Sequence, residues 1–448
     1  MEKLALLGGP KAVTLDYEKL GNRPIVPERA YKTVEELMRR GEISSSPLVA
    51  SFEKRFADYI GVSYGLALSN GTSAIMAGLY ALGVGPGDEV LVPSYTFWAS
   101  AGPIAACNAI PVFCDIDPQT HCIAPEEIEA RITSRTKAVV VVHVWGNPAD
   151  MDAIMAIADR HGIKVLEDCS HAHGALYKGK RVGSIGHAGC FSFQGSKTLP
   201  AGEGGILVTD SRCIYEKAAA LGSYERLHTF GEESQVRKYA LTGMGYKFRI
   251  HPLAVAIADA GMDELEERNQ IRNDNGRYFE SAIADLDCFV PQRVLEGCER
   301  EYSYHYMFFD NQRLSGISAK TLLTALSEEG VVCGTCGYGR LHQAPLYTEG
   351  GPWGRVGCPF DCPHGPGSYL PTEELPVSEF FAEYTFMAAP RFENPCRELI
   401  EQYAAAYHKI AASGESLRKY EKDNGLKDAP LPVTGRSINL FKRETSAK

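Results

Sequence analysis

Short apolar runs alternate with helical stretches from Tyr64 to Thr209, and this alternation limits the fold more than any other feature of the chain. Tyr64–Ser69, Glu89–Val92, Ala109–Cys114, Ala138–His143 and Lys164–Leu166 read as strands. Between them, 74–82, the stretch after Trp98 to Cys107, 125–132 and 150–161 carry helical spacing, the last with Met151, Ile154, Met155 and Ala158 inward. The run Ala138-Val-Val-Val-Val-His143 is apolar on both faces, as a central strand of a parallel sheet is. Alternating strands and helices imply right-handed crossovers and a mostly parallel sheet covered on both sides. Ligands of such sheets sit beyond the carboxyl ends of the strands.

Four stretches fall at those ends. Asn70-Gly71-Thr72-Ser73 links a strand to a helix N-terminus, where free N–H groups and the helix dipole suit an anion, although Thr and Ser there also serve as plain caps. Phe97 follows the second strand, and Glu167-Asp168-Cys169-Ser170-His171 follows the fifth. Cys190-Phe-Ser-Phe-Gln-Gly-Ser-Lys197 then runs from an apolar strand into a Gly/Ser turn that presents one lysine, before Gly204-Gly205 restarts the chain into Ile206-Leu-Val208. A lysine held between buried strands supplies the amine that Schiff-base chemistry needs; a surface loop lysine is the other local reading. Together the residues have matched roles. Lys197 would hold an aldehyde cofactor, Asp168 would pair with a pyridinium nitrogen, Phe97 would stack on the ring, and Thr72, Ser73 and Ser192 would hold a phosphate.

Composition narrows the class. The 448 residues are 44% hydrophobic and 23% charged, ordinary for a globular chain of one large domain plus smaller ones. A formal charge of −10 gives no nucleic-acid footprint, and no apolar run has transmembrane length. The start, Met1-Glu-Lys-Leu-Ala-Leu-Leu-Gly-Gly-Pro10, lacks a long apolar signal core, and the thirteen scattered cysteines read as reduced thiols, so a cytoplasmic location is expected.

Taken in this order, the segments resemble the DegT/DnrJ/StrS family of pyridoxal-phosphate sugar aminotransferases. The matching stretches are Leu4–Pro10, Ser69–Ala74, Pro93–Phe97, Val165–Gly174, Phe191–Lys197 with Gly202–Gly205, and Gly245-Tyr-Lys-Phe-Arg249. The resemblance implies fold type I: an α/β large domain with a mostly parallel seven-stranded sheet, a smaller α/β C-terminal domain, and a homodimer with active sites at the interface. The layout expected is an arm over 1–25, a large domain over 26–255, a small domain over 256–420 and a tail over 421–448. By resemblance Lys197 is the Schiff-base lysine and proton carrier, and His171 lies against the cofactor's ring hydroxyl or its face. Gly71, Thr72, Ser73 and Ser192 form the phosphate site. Lys247 stands where most members have an asparagine that reaches the neighbouring subunit's phosphate. The activity implied is ping-pong transfer of an amino group from L-glutamine or L-glutamate to a keto sugar, nucleotide keto sugar or keto cyclitol. Dehydratases of this fold replace the lysine by histidine, which Lys197 argues against; a cofactor-binding sensor is the remaining rival.

The C-terminal part is less explicit. Leu253 to Leu265 and beyond reads as one long helix, Tyr302–Phe309 and Val331–Cys333 as strands, 318–329 and 394–410 as helices, and 337–384 as a long loop that would choose the acceptor. His342, Trp98, Trp145, His143 and His305 are candidates for the substrate pocket, with a structural role equally open for His143. Cys333-x-x-Cys336, Cys358-x-x-x-Cys362, His342 and His364 give a weak zinc-like spacing, and no metal is assigned.

Overall fold

The structure is a computed structural model and describes residues 2–23, 26–350 and 374–425. Its main sheet is built from β1 (Tyr64–Leu68), β2 (Glu89–Pro93), β3 (Ile110–Cys114), β4 (Thr136–Val142), β5 (Lys164–Asp168), β6 (Ala188–Ser192) and β7 (Gly205–Thr209). The spatial order is β1-β7-β6-β5-β4-β2-β3. All neighbours are parallel except β7, which runs antiparallel between β1 and β6. The expected mostly parallel seven-stranded sheet is therefore present. Val139, Val140 and Val141 of β4 are fully buried, as their apolar run demands.

Helices α1 (Glu28–Arg40), α2 (Pro47–Ile60), α3 (Gly71–Ala81), α4 (Met151–His161) and α5 (Arg212–Gly222) accompany this sheet. Their ends follow local chemistry. For α4, the Asp150 carboxylate accepts the Ala153 N–H, and Gly162 closes the helix in the left-handed region at φ 68°. α2 begins at a serine cap followed by proline, and its Phe52, Phe56 and Ile60 face the core.

Beyond these lie α6 (Pro252–Gly261) and α7 (Leu265–Ala282), then a four-stranded antiparallel sheet. It comprises β8 (Phe289–Pro291), β9 (His305–Phe309), β10 (Gly334–Thr335) and β11 (Thr385–Ala389) in the order β8-β9-β11-β10, with α8 (Ala319–Glu328), α9 (Pro376–Tyr384), α10 (Arg397–Ala411) and α11 (Gly414–Asp423). The N-terminal residues fold back onto this part. Buried Glu329 accepts the N–H groups of Ala5 and Ala12 and pairs with Lys409, whose ammonium also donates to the Pro10 carbonyl.

Three sequence expectations need correction here. The helix expected from Leu253 past Arg268 is two helices. Arg29 and Arg55 both donate to the Asp259 carbonyl, so the Asp263 N–H turns to Ala260 instead and the helix breaks before Leu265. The strand expected at Val331–Cys333 pairs only from Gly334, because Tyr403 accepts the Val332 N–H. The region 337–384 is not all loop: it contains α9, whose first N–H groups, at Val377 and Ser378, are taken by Asp115 at the end of β3. That cap comes from 262 residues away, so local composition does not reveal it. Cys358, Cys362 and His364 lie outside the described residues, as does the tail after 425.

The core holds three histidines whose rings are neutral. Burial pushes His121, His173 and His305 each down to about 3, with Arg300 lowering His121 and His305 further and Lys197 lowering His173. Between that value and the ordinary 6.5, the unfolded chain binds protons that the folded chain does not, so stability falls as pH drops below 6.5. His305 packs among Phe279, Tyr302 and Phe392 with both ring nitrogens unpartnered. We expect His305→Phe to gain about 1.4 kcal/mol relative to the natural chain between pH 7.5 and pH 5.5. Urea unfolding at the two pH values measures it, and an unchanged difference would refute the neutral buried ring.

Candidate active site

The anion-binding end is built where α3 starts. Asn70 accepts the Ser73 N–H at 2.8 Å, and the Ser73 hydroxyl lies 3.2 Å from the Asn70 N–H, a reciprocal cap. The Ser73 hydroxyl also donates to the Asn70 carbonyl. Its expected role as a phosphate donor is therefore not what the structure presents: Ser73 is spent on the cap. The N–H groups of Gly71 and Thr72, the first two helical residues, have no intrahelical acceptor and remain for a ligand. Against them lies Ser192 at the end of β6. A Cβ on Gly71 would stand 2.8 Å from the Ser192 Cβ, so only glycine allows this approach. Gly205 at the start of β7 meets the Asn70 backbone just as closely. The Ser192 hydroxyl accepts the Gln194 N–H, leaving its own proton to give.

At the end of β5 two adjacent carboxylates point to opposite faces. Asp168 accepts from Ser100 Oγ at 2.7 Å and from the Ser170 N–H at 3.1 Å. Glu167 is fully buried and accepts from the N–H groups of Gly183, Ile185 and Gly186 and from His143. His143 Nδ1 accepts the Ala149 N–H, so Nε2 carries the proton that reaches Glu167. His143 is thus a satisfied structural histidine, not a pocket residue. His143, Glu167 and Cys169 are near enough to one another to hold a metal, but the histidine and carboxylate donors are already occupied, and burial keeps the Cys169 thiol well above its ordinary range. The Cys333 and Cys336 sulfurs contact the Leu323 carbonyl and the Tyr95 hydroxyl.

Lys197 sits in the Gly/Ser turn after β6, half-buried, its N–H bonded to the Gln194 carbonyl. Among the described residues its ammonium has no ion-pair partner; it lies 5.9 Å from the centroid of the Tyr304 ring. Tyr304 meets His171 edge-on at 5.1 Å, and His171 lies parallel to Tyr338. Burial, then the charge on Lys197 and the neighbouring His173, hold His171 well below the ordinary histidine range. Phe97 and Trp98 are about half-exposed and in contact with each other, and Phe97 approaches Tyr338.

The remaining candidates fall elsewhere. Trp145 is completely buried and stacked behind Tyr338, so it backs the pocket without lining it. His342 is buried too, bonded through Nδ1 to Ser94 at 2.6 Å and through Nε2 to Glu379 at 3.1 Å, which fastens the C-terminal segment to the end of β2. His305 lies in the core of the small sheet. Lys247 is exposed beside edge strand β1, where Ser69 donates to the Phe248 carbonyl. Sequence reasoning missed Ser100, Tyr304, Tyr306 and Tyr338. The period of two in Tyr302-Ser-Tyr304-His-Tyr306 put Tyr304 and Tyr306 on one face and His305 on the other, a signal that was available. Nothing local marks Tyr338.

These residues fit pyridoxal phosphate. Gly71, Thr72 and Ser192 form a cradle that a methyl group would fill, Asp168 is oriented by two donors, and Lys197 offers a free amine. We expect Gly71→Ala to weaken cofactor binding about 5- to 100-fold while the protein stays folded, as overpacking by one methyl does. Ser192→Ala alone, which keeps the space and removes the hydroxyl, should also weaken it, by about 10-fold. Equilibrium dialysis against the cofactor measures both.

The chain is similar to known proteins of one family. Residues 24–358 match the family model for the DegT/DnrJ/EryC1/StrS aminotransferases. The chain is 39% identical over 269 residues to an L-glutamine:2-deoxy-scyllo-inosose aminotransferase of Streptomyces fradiae, a match covering 57% of this chain and 61% of that protein. It is 33% identical over 372 residues to an enzyme of the same description from Streptomyces lividus, covering 82% and 86%. Among solved structures, DesI in the presence of its TDP-sugar product superposes with a TM-score of 0.75 at 27% identity, over 94% of this chain and 99% of that one. With that match over most of its length and the fold type I sheet, the chain belongs to the DegT/DnrJ/EryC1/StrS aminotransferase family.

Proposed function

We propose that this chain transfers an amino group from L-glutamine to a keto cyclitol in a ping-pong reaction dependent on pyridoxal phosphate. The observation that carries the reading is the Lys197 amine, without an ion-pair partner among the described residues, at the same strand ends as Asp168 and the Gly71–Ser192 cradle. The donor and acceptor follow from the relatives' names. A nucleotide keto sugar is the second acceptor reading, supported by the structural likeness to DesI.

When bound, the cofactor supplies an electron sink for a carbanion at the amino-bearing carbon. The N–H groups of Gly71 and Thr72 with the Ser192 hydroxyl would hold its phosphate at the α3 N-terminus, where the helix dipole favours negative charge. Asp168, held by Ser100 and Ser170, would keep the ring nitrogen protonated. Phe97 would cover one ring face. Lys197, which no carboxylate of the described residues pins, would take and return the proton at the substrate carbon.

A homodimer also belongs to this reading. Leu241, Met244 and Tyr246 are exposed large apolar side chains close in sequence to Lys247, and Tyr31 and Met38 are exposed on α1. Packed on a second copy, that segment would bring Lys247 to the neighbour's phosphate as a point charge.

The test is the visible absorbance of the purified protein. L-glutamine should bleach it, and 2-deoxy-scyllo-inosose should restore the colour with release of an aminated product. Lys197→Ala should slow the exchange about 10²- to 10⁴-fold, the range of a lost acid–base group. Bound cofactor that no amino acid converts would sink the transaminase reading in favour of a sensor. Restoration by a nucleotide keto sugar alone would replace the cyclitol.

A further inference from the structure

Ser100 is bonded to three parts of the candidate ring site at once. Its Oγ lies 2.7 Å from Asp168 Oδ2 and 3.2 Å from Thr96 Oγ1, and its N–H donates to the Phe97 carbonyl at 3.1 Å. A serine hydroxyl has one proton, and an ionised carboxylate can only accept. The Ser100 proton therefore goes to Asp168, and the Thr96 proton goes to Ser100. The chain of donors runs one way, from Thr96 through Ser100 to Asp168. Thr96 and Ser100 are 1% and 2% exposed. Burial keeps water from competing, and the bond to the carboxylate is short, as charge-assisted bonds are.

The same bonds fix two groups relative to each other. Thr96 to Ser100 is a turn that follows β2, and half-exposed Phe97 lies inside it. Side chains close this turn from Thr96 to Ser100, and the backbone closes it from Ser100 to Phe97. The Ser100 hydroxyl then fastens the closed turn to the end of β5. In the sheet β4 stands between β2 and β5, so no backbone ladder joins Phe97 to Asp168 directly. The side-chain bond does. Asp168 Oδ1 is held separately by the Ser170 N–H, two residues on. With one donor on each oxygen the carboxylate plane is set, and each oxygen keeps a lone pair for a further donor.

We propose that Ser100 is a positioning residue for the cofactor ring: its hydroxyl, oriented by Thr96, holds Asp168 ionised and in register with Phe97, and so keeps the proton of a bound pyridine ring on the ring nitrogen. This rests on the aminotransferase reading above. The physical reason is the basicity of the carboxylate. A donor on the carboxylate stabilises its charge, so it competes less well for a proton shared with the ring nitrogen. Without the Ser100 hydroxyl that proton moves toward Asp168, and the ring draws electrons less strongly.

The test uses the full-length protein loaded with pyridoxal phosphate that is isotope-labelled at the ring nitrogen. In the natural chain, nitrogen NMR should show that nitrogen protonated at neutral pH. Ser100→Ala should shift its resonance toward the unprotonated position. Bleaching by L-glutamine should slow about 10-fold in the same variant, the low end of what a hydrogen bond to a charged group is worth. The KM for L-glutamine should change less than about twofold, since no contact to the amino acid is removed. Thr96→Val leaves the Ser100 hydroxyl in place but lets it turn. It should shift the resonance the same way by a smaller amount, and it carries the measurement if Ser100→Ala does not retain the cofactor. A ring nitrogen that stays equally protonated in the variants, even with a lowered melting temperature, makes Ser100 merely structural and overturns the proposal. An unprotonated ring nitrogen in the natural chain overturns it too. Either result leaves the aminotransferase reading standing, provided the natural chain bleaches with L-glutamine. A natural chain that no amino acid bleaches overturns that reading and the proposal together.

Discussion

Glu167 ties three pieces of chain together by four hydrogen bonds in a place that water does not reach. It lies one residue before the end of β5, and the loop 183–186 that leads into β6 wraps around it. His143 at the end of β4 completes the set. A buried carboxylate left without these donors would be strongly destabilising, so the loop has little freedom. The strand period then does the rest. With Glu167 committed to one face, Asp168 must project to the other, where Ser100 and Ser170 orient it. The position of β6, and with it Ser192 and Lys197, follows from the same loop. One satisfied charge beneath the sheet therefore aligns the three groups that matter above it.

The site itself is assembled from both halves of the chain. The sheet supplies the phosphate cradle, the aspartate and the lysine. The C-terminal part supplies the aromatic wall of Tyr304, Tyr306 and Tyr338. Side-chain bonds hold the halves in register: Asp115 caps α9, and His342 joins Ser94 to Glu379. Buried Arg272, paired with Glu301 and Glu393, does the same between α7 and the segments flanking the small sheet. Such buried pairs specify geometry more than they add stability, because desolvation offsets most of their attraction.

Asp168, Lys197 and the Gly71–Thr72 turn stand out in the sequence because each sits in a short motif at a strand end, where backbone geometry and residue type point the same way. Ser73 was misread for the same reason. Serine serves equally as a helix cap and a phosphate donor, and only the Asn70 partner distinguishes the two uses. His342 and His305 looked like pocket residues because histidine is chemically versatile, yet one is a clamp and the other part of an aromatic core. Tyr338 was invisible. Its partner His171 is 167 residues away, and no local pattern encodes a contact of that span.

Sequence alone determined the class of fold, through the alternation of apolar strands and helices, and the family, through the short motifs placed at strand ends. These depend on local periodicity and on where parallel strands must terminate. Tertiary structure decided what each polar group is free to do. Whether a hydroxyl caps a helix or holds a ligand, and which nitrogen of His143 bears the proton, depend on donors and acceptors brought together by the fold, because every buried polar group must be matched before any can be left for function.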